Sequence, residues 1–348
     1  MANRMKRLLD PIIAEAQSAF ILGRSIVDNI VIAFEVQHFL KRKTQGKEGY
    51  MALKLNMSKA YDRVEWRFLE AVMQRLGFHS GWINLVLQCV ATVLFNVQVN
   101  NEIVGPIIPT RGIRQGDPLS PYLFILIAEG LSARIREGGA DRHLQGIRLA
   151  RSVPTLTHLL FADDRFLFFR ANEVDCTFIK MLDTYSGGSG QLVNYDKSSV
   201  RFNANVAWDD RDYLCSLLGV NEDRGGGKYL GLPSLVGRNK KEIFGYIKEK
   251  VVQRIQRWNS RFLSRARREI LLKTVLQAMP QYAMNVFLLP ADLCEEIERV
   301  MNAFWWRGHT FKGKGIRWRN WSDLCVPKSS GGMGFRKLRR GHTSLEAY

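Results

Sequence analysis

At 348 residues the chain can bury two or three separate cores, and 46% hydrophobic with 24% charged residues places it among globular rather than disordered proteins. Lysine and arginine total 51 against 33 for aspartate and glutamate, a net of +18, and from Arg238 onward 23 basic residues face 9 acidic ones. That imbalance, interleaved with Trp258, Trp305, Trp306, Trp318 and Trp321, points to a polyanion-binding face, with nucleic acid the first expected partner and an anionic membrane surface the second.

Five cysteines, an odd number with no Cys-x-x-Cys pair, argue against a disulfide framework and a zinc ribbon, and Cys294, His309, Cys325 and His342 match no compact zinc spacing. No segment has the layout of a secretory signal, and the longest apolar run, "YLFILIAEGL", is interrupted by Glu129. The expectation is an intracellular protein of nucleus or cytoplasm, neither secreted nor membrane-spanning.

In chain order, "SIVDNIVIAFEVQHFLKRK" carries a helical pattern after a loop at Gly23. A strand is expected over Met51–Leu55, then a helix from Ser58, as N-cap, to Leu76, stopped by Gly77. Tyr61, Val64, Phe68, Leu69, Val72, Met73 and Leu76 recur there at helical spacing. A second helix should cover 82–93, and "FNVQVNNEIVGPIIP" reads as a hairpin turning at Asn100 and Asn101. "TRGIRQGDPLSP" is a loop by its Gly and Pro content, feeding a helix over 122–136. Segments 156–162 and 166–169 predict a hairpin with Asp163 and Asp164 at its tip, followed by a helix over 174–185, a Gly-rich turn and a strand near Val200. This mixture indicates an α+β domain from about 50 to 235. After Gly225–Gly227, basic Trp-bearing helical pattern takes over, as in "IFGYIKEKVVQRIQRWNSRFL" and "LCEEIERVMNAFWW".

An Asp-Asp turn alone is ordinary turn chemistry. Here, however, the apolar run Leu159–Ala162 ends on the two acids, and adjacent charges at the end of a buried strand are costly unless a cation is held there. Nucleotide polymerisation uses two Mg2+ ions held by carboxylates on neighbouring strands, with substrate phosphates completing the coordination. Position 56, at the end of the preceding strand, is where a third acid belongs. It is Asn56.

The blocks "AQSAFILGRSIVDNI", "ALKLNMSKAYDRVEW", "RGIRQGDPLSPYLFILIAEGLS", "FADD", "SGQLVNYDKSS", "KYLGLPSLVGR" and "GGMGFR", in this order over about 20 to 340, resemble the reverse transcriptase of non-LTR (LINE-type) retrotransposons, particularly the plant lineage. The resemblance implies an α+β right-hand polymerase: an antiparallel palm sheet with packed helices, partial fingers and a mainly helical basic thumb. It divides the chain into fingers 1–50, palm 51–235, thumb 236–290 and a basic Trp-rich segment 291–348. It implies RNA-directed DNA polymerase activity with Mg2+, or Mn2+ in its place, and as partners an RNA template, a DNA primer and deoxynucleoside triphosphates.

Residue by residue, the resemblance makes Asp163 and Asp164 metal ligands, with Asn56 at the third ligand position and Lys197 where a lysine protonates the leaving pyrophosphate. Tyr61 falls where a ring selects against a ribose 2′-OH. Arg111, Arg114, Gln115 and Gly116 match the loop that positions template and incoming nucleotide, Phe161 belongs to the FADD block, and Arg24 resembles a fingers residue gripping the triphosphate. Two departures stand out. Asn56 removes one charge from the metal site, and Arg165 stands where the family has a small or apolar residue, with a guanidinium expected to neutralise part of Asp164. Asp62 is not expected to substitute, being read as six residues into a helix. The absence of endonuclease and RNase H regions gives the expectation of a retroelement fragment with impaired activity. The alternatives are a catalytically silent nucleic-acid-binding relic and, less favoured, a domesticated RNA-processing factor.

Overall fold

The computed structural model describes all residues except 142, 226, 238, 259–262, 309–315 and 339–348. The chain forms two compact units, Met1–Leu235 and Val236–Tyr348.

In the first unit, helices α1 (Ala2–Leu8) and α2 (Ile26–Arg42) precede strand β1 (Tyr50–Leu55). Ser25 caps α2, its Oγ accepting from the Val27 amide. There follow β2 (Met57–Ser58), α3 (Trp66–Arg75), α4 (Ser80–Ala91), β3 (Phe95–Val99), β4 (Glu102–Ile107) and α5 (Ser120–Ala140). Next come β5 (His158–Phe161), β6 (Asp164–Arg170), α6 (Glu173–Ile179), α7 (Met181–Ser189) and β7 (Leu192–Val193). The unit closes with β8 (Ser199–Phe202), α8 (Trp208–Leu218), β9 (Asn221–Glu222), β10 (Lys228–Tyr229) and β11 (Leu232–Pro233).

The main sheet has the order β5-β6-β1-β8-β9, antiparallel except for the parallel β8–β9 pair. Strand alternation gives it two buried faces. Met51, Leu53, Leu55, Leu167 and Phe169 share one core with α3, α5 and α7. Ala52, Leu159, Phe166 and Phe168 face the other way, onto Ala33, Val36 and Leu40 of α2 and onto Tyr229. Helix α5 is buried continuously from Leu123 to Glu129, as a helix in the middle of a core must be.

The hairpin β3–β4 turns at Asn100 and Asn101, whose φ angles of 50° and 68° suit a two-residue I′ turn. It forms its own two-stranded sheet and all its residues are exposed. Two expected helices differ. The segment after β1 is helical only from Trp66, with Glu65 at its N-cap position, so Ser58 caps nothing and lies in β2 instead. Met57 and Ser58 pair with Val193 and Leu192, and the carbonyls of Tyr61 and Val64 accept from the amides of Ile113 and Gly112. Those distant partners hold 57–64 out of the helix that its apolar spacing suggests. The expected stop is present: Gly77, with φ +82°, follows the last turn. The helix expected over 174–185 is broken at Lys180 into α6 and α7.

His158 carries a pH dependence. Its buried ring lies between Ser132 Oγ at 2.7 Å and Thr157 Oγ1 at 2.9 Å. Burial, with the nearby Arg136 charge, lowers its pKa to about 4. The unfolded chain takes up that proton first, near pH 6.5, so stability is level above this and falls as the pH drops toward 4. We expect a loss of roughly 3 kcal/mol across that window. Urea unfolding at pH 7 and pH 4.5 should show it, and His158→Gln should flatten the difference.

The second unit is helical: α9 (Lys240–Arg257), α10 (Arg265–Leu271), a π-turn over 272–276, α11 (Ala278–Met284), α12 (Ala291–Arg307) and α13 (Trp321–Leu324). Phe244, Ile247, Val251 and Ile255 of α9 are buried, as are Leu293, Ile297, Met301 and Phe304 of α12, each set recurring at helical spacing. The tryptophans do not form one binding face. Trp305 and Trp321 are buried against Phe335, at ring separations of 5.4 and 5.2 Å, and Trp258 leans on Phe304, whereas Trp318 is exposed. Cys294 is buried and Cys325 half-buried, while His309 and His342 lie outside the described residues. Among the described residues no helix is long and apolar enough to cross a membrane.

Candidate active site

The β5–β6 hairpin places the acids. Phe161 pairs with Asp164, leaving Ala162 and Asp163 as a two-residue turn. Ala162 takes φ +53°, a costly conformation for a residue with a Cβ, of the kind that persists where surrounding structure imposes it. That structure is the segment 16–18, which lies beside β5. Leu160 N donates to Ala16 O, Ser18 N donates to Leu160 O, and buried Gln17 accepts through Oε1 from the amides of Ala162 and Ala19. Asn29 of α2 donates to Leu160 O at 2.9 Å. The "AQSAF" block thus has a positioning role that composition and periodicity did not reveal. Its signal in the sequence was a glutamine amid apolar residues.

On the other flank of β6, Leu55 pairs with Arg165, so one further step of the register sets Asn56 opposite Asp164. The Asn56 backbone is fixed by a turn: its amide donates to Ser198 Oγ at 3.1 Å and its carbonyl accepts from Asn194 N at 2.8 Å. Lys197 stands exposed in that same turn. Position 56, the acid pair and Lys197 therefore converge on one end of the sheet. Asp164 is half-buried, and burial is the main reason its carboxyl pKa rises; the Lys54 charge opposes the rise and the Asp163 charge adds to it.

Tyr61 belongs to the same end. Its ring stacks on Phe124 of α5 at 4.9 Å and 11°, and its phenol pKa is raised by burial and then by the charge of Asp163. Gly112, with φ +91°, would set a Cβ 2.8 Å from Asp62 O, and Gly190, with φ +77°, one at 2.0 Å from Arg63 O. Both glycines press against the segment that carries Tyr61, and the buried Gln191 donates through Nε2 to Ala60 O at 2.6 Å. We expect Gly190→Ala to cost about 3 kcal/mol or more, since backbone strain and a backbone clash combine. A thermal melt of the variant checks this.

Arg111, Arg114 and Gln115 line one open cavity of about 500 Å3, together with Asp62, Asp117 and the hairpin residues Phe95 and Ile107. Gly116, at φ +89°, has open space where a side chain would stand. Asp62 is in a turn rather than a helix and faces this cavity. Arg24 has another occupation: its guanidinium donates to the carbonyls of Asp10, Ile13, Ala14 and Gln17 and pairs with Asp10 at 3.1 Å. Arg165 does not reach Asp164. It is fully buried on the opposite face, in line with Leu167 and Phe169, its guanidinium 5.6 Å from the Tyr185 ring and, among the described residues, without a hydrogen-bond partner on any nitrogen.

Residues 1–234 match the family model described as "Reverse transcriptase (RNA-dependent DNA polymerase)". The chain belongs to this family. Its antiparallel-rich palm sheet, with two acids on a hairpin tip, is the right-hand polymerase fold expected of a reverse transcriptase. Among curated relatives, a Xenopus laevis "Transposon TX1 uncharacterized 149 kDa protein" is 24% identical over 97% of this chain and 25% of its own length. An Arabidopsis thaliana "Uncharacterized mitochondrial protein AtMg01250" is 52% identical over 19% of this chain and 54% of its own. A "Retrovirus-related Pol polyprotein from type-1 retrotransposable element R2" of Popillia japonica is 26% identical over 37% and 22%. The chain thus spans about a quarter of the length of the Xenopus relative.

Reverse transcriptases generally use divalent metal ions. The donor set here meets that need in part. Two carboxylates share the hairpin tip, and the raised pKa of Asp164 reflects burial and a like charge that a cation would offset. Among the described residues, no third His, Cys, Asp or Glu joins them, so the amide of Asn56 is what the third strand supplies.

Proposed function

We propose that the chain derives from the RNA-directed DNA polymerase of a plant-lineage non-LTR retrotransposon, with deoxynucleotide addition to a primer 3′-OH weakened at Asn56. The observation that carries this reading is the convergence of Asp163, Asp164 and position 56 on one end of the palm sheet, with Asn56 held by Ser198 and Asn194 and the hairpin tip held through Ala162 by Gln17. The Arabidopsis relative supports the plant lineage. In this reading 1–50 serves as fingers, 51–235 as palm, 236–290 as thumb and 291–348 as a basic extension.

Asp163 and Asp164 would hold Mg2+ or Mn2+, which when bound lowers the charge barrier to phosphoryl transfer. Tyr61, held flat on Phe124, presents a fixed ring edge beside Asp163 where a ribose 2′-OH would collide. Arg111, Arg114 and Gln115 bind template and nucleotide phosphates by charge-assisted hydrogen bonds. Lys197 is free in solvent to give a proton to the leaving pyrophosphate. Arg24 supports the fingers loop and acts on the triphosphate only through that loop.

A second reading, a nucleic-acid-binding relic without chemistry, is favoured by one observation: Arg165, beside the acid pair in sequence, puts an unpartnered charge into the palm core. Primer extension on an RNA template with Mg2+ or Mn2+ separates the two. Extension that Asn56→Asp amplifies supports the polymerase reading; silence in both, with RNA still bound, supports the relic.

A further inference from the structure

At the end of the palm sheet remote from the acids lies an open polar pocket of about 680 Å3. It is lined by Arg136, Arg148, Arg170, Tyr50, Thr155 and Thr157 among others, and no carboxylate of the described residues lines it. Arg170 is six residues along β6 from Asp164, about 20 Å at the rise of a strand.

The three guanidiniums are differently engaged. Arg136 pairs with Glu129 at 2.7 Å and Arg170 with Glu48 at 2.9 Å, while Arg148 is exposed and has no ion pair among the described residues. The Arg170 Nε is buried without a hydrogen-bond partner among the described residues. The walls are fixed by the scaffold. Ile147 and Leu156 exchange backbone hydrogen bonds at 2.8 Å, and the Asp175 carboxylate accepts from the amides of Gln145 and Arg170.

We propose that this pocket holds the backbone of a single-stranded RNA segment, separate from the strand copied at the acid pair. Its volume falls in the range of ~300–1,000 Å3 that encloses a drug-sized organic group, too large for a lone phosphate. Arg148 supplies the free counter-charge, Arg136 and Arg170 add guanidinium donors beyond their ion pairs, and the Thr155 hydroxyl can meet a phosphate or 2′-OH group. The inference rests on the nucleic-acid reading above but not on catalysis.

The test is fluorescence anisotropy of a labelled, unstructured 12-nucleotide RNA with the full chain, over a range of salt. Arg148→Glu should weaken binding by about fivefold or more and lower the salt slope by about 0.7 for each phosphate that is no longer neutralised. Arg148→Gln should give a smaller loss in the same direction. Arg75→Glu, a charge-matched reversal at an exposed position on α3, should change affinity less than about twofold, and all three variants should melt like the parent chain. Equal effects at positions 75 and 148 would overturn the pocket while leaving RNA binding in place. No RNA binding by the parent chain at low salt would overturn both this proposal and the nucleic-acid reading. Saturable binding of inorganic pyrophosphate lost in Arg148→Glu, with RNA affinity unchanged, would make this a small-anion site instead.

Discussion

Asn56→Asp is expected to raise primer extension on an RNA template by on the order of a thousandfold, with little change in stability. A carboxylate missing from a metal site removes several kcal/mol of transition-state stabilisation, and each 1.4 kcal/mol is about tenfold in rate. The backbone at this position is already held by Ser198 and Asn194, so aspartate enters a prepared site. The gain should appear in the extension rate at saturating nucleotide, and Asp163→Asn in the same background should erase it. Comparable extension by parent and variant would show that the amide suffices and refute the impaired-site reading.

Arg165→Leu is expected to stabilise the first unit by roughly 2–4 kcal/mol, a gain of about 5–15 °C in melting temperature. A buried, unpaired guanidinium costs several kcal/mol, and a desolvated contact with the Tyr185 ring at 5.6 Å returns about 2 kcal/mol of it. Leucine matches its strand-mates Leu167 and Phe169 on this face. A lower melting temperature in the variant would show that the stack outweighs desolvation. Combining both changes separates the lesions: position 56 should govern rate, and position 165 the fraction of folded chain.

The sequence made much of the site legible because its signals are local. An apolar run ending in two acids specifies a hairpin tip, and Asn-Asn between β-rich segments specifies an I′ turn. What it hid depended on partners far along the chain. Tyr61, Val64 and Phe68 have helical spacing, yet Gly112, Ile113, Leu192 and Val193 claim the backbone of 57–64 first. Trp305 and Trp321, read as part of a basic face, fill a core whose other half is Phe335. The direction of Arg165 could have been read from alternation, since a residue one step from Asp164 on a strand must point the other way. Arg24 shows the opposite limit: nothing near it in sequence announces four carbonyls waiting for its guanidinium.

The β3–β4 hairpin has a consequence for handling the molecule. Val97, Val99, Ile103, Val104 and Ile107 are exposed on a two-stranded sheet that carries a single charge, Glu102, and whose outer edges are unpaired within the main sheet. Such an edge is a template for strand addition by another copy, tempered here by Pro106 and by the irregular register at Phe95. The +18 charge keeps copies apart only while it is unscreened. The high salt that strips nucleic acid from a basic chain therefore also removes the repulsion guarding this edge, and purification must trade one contaminant against self-association.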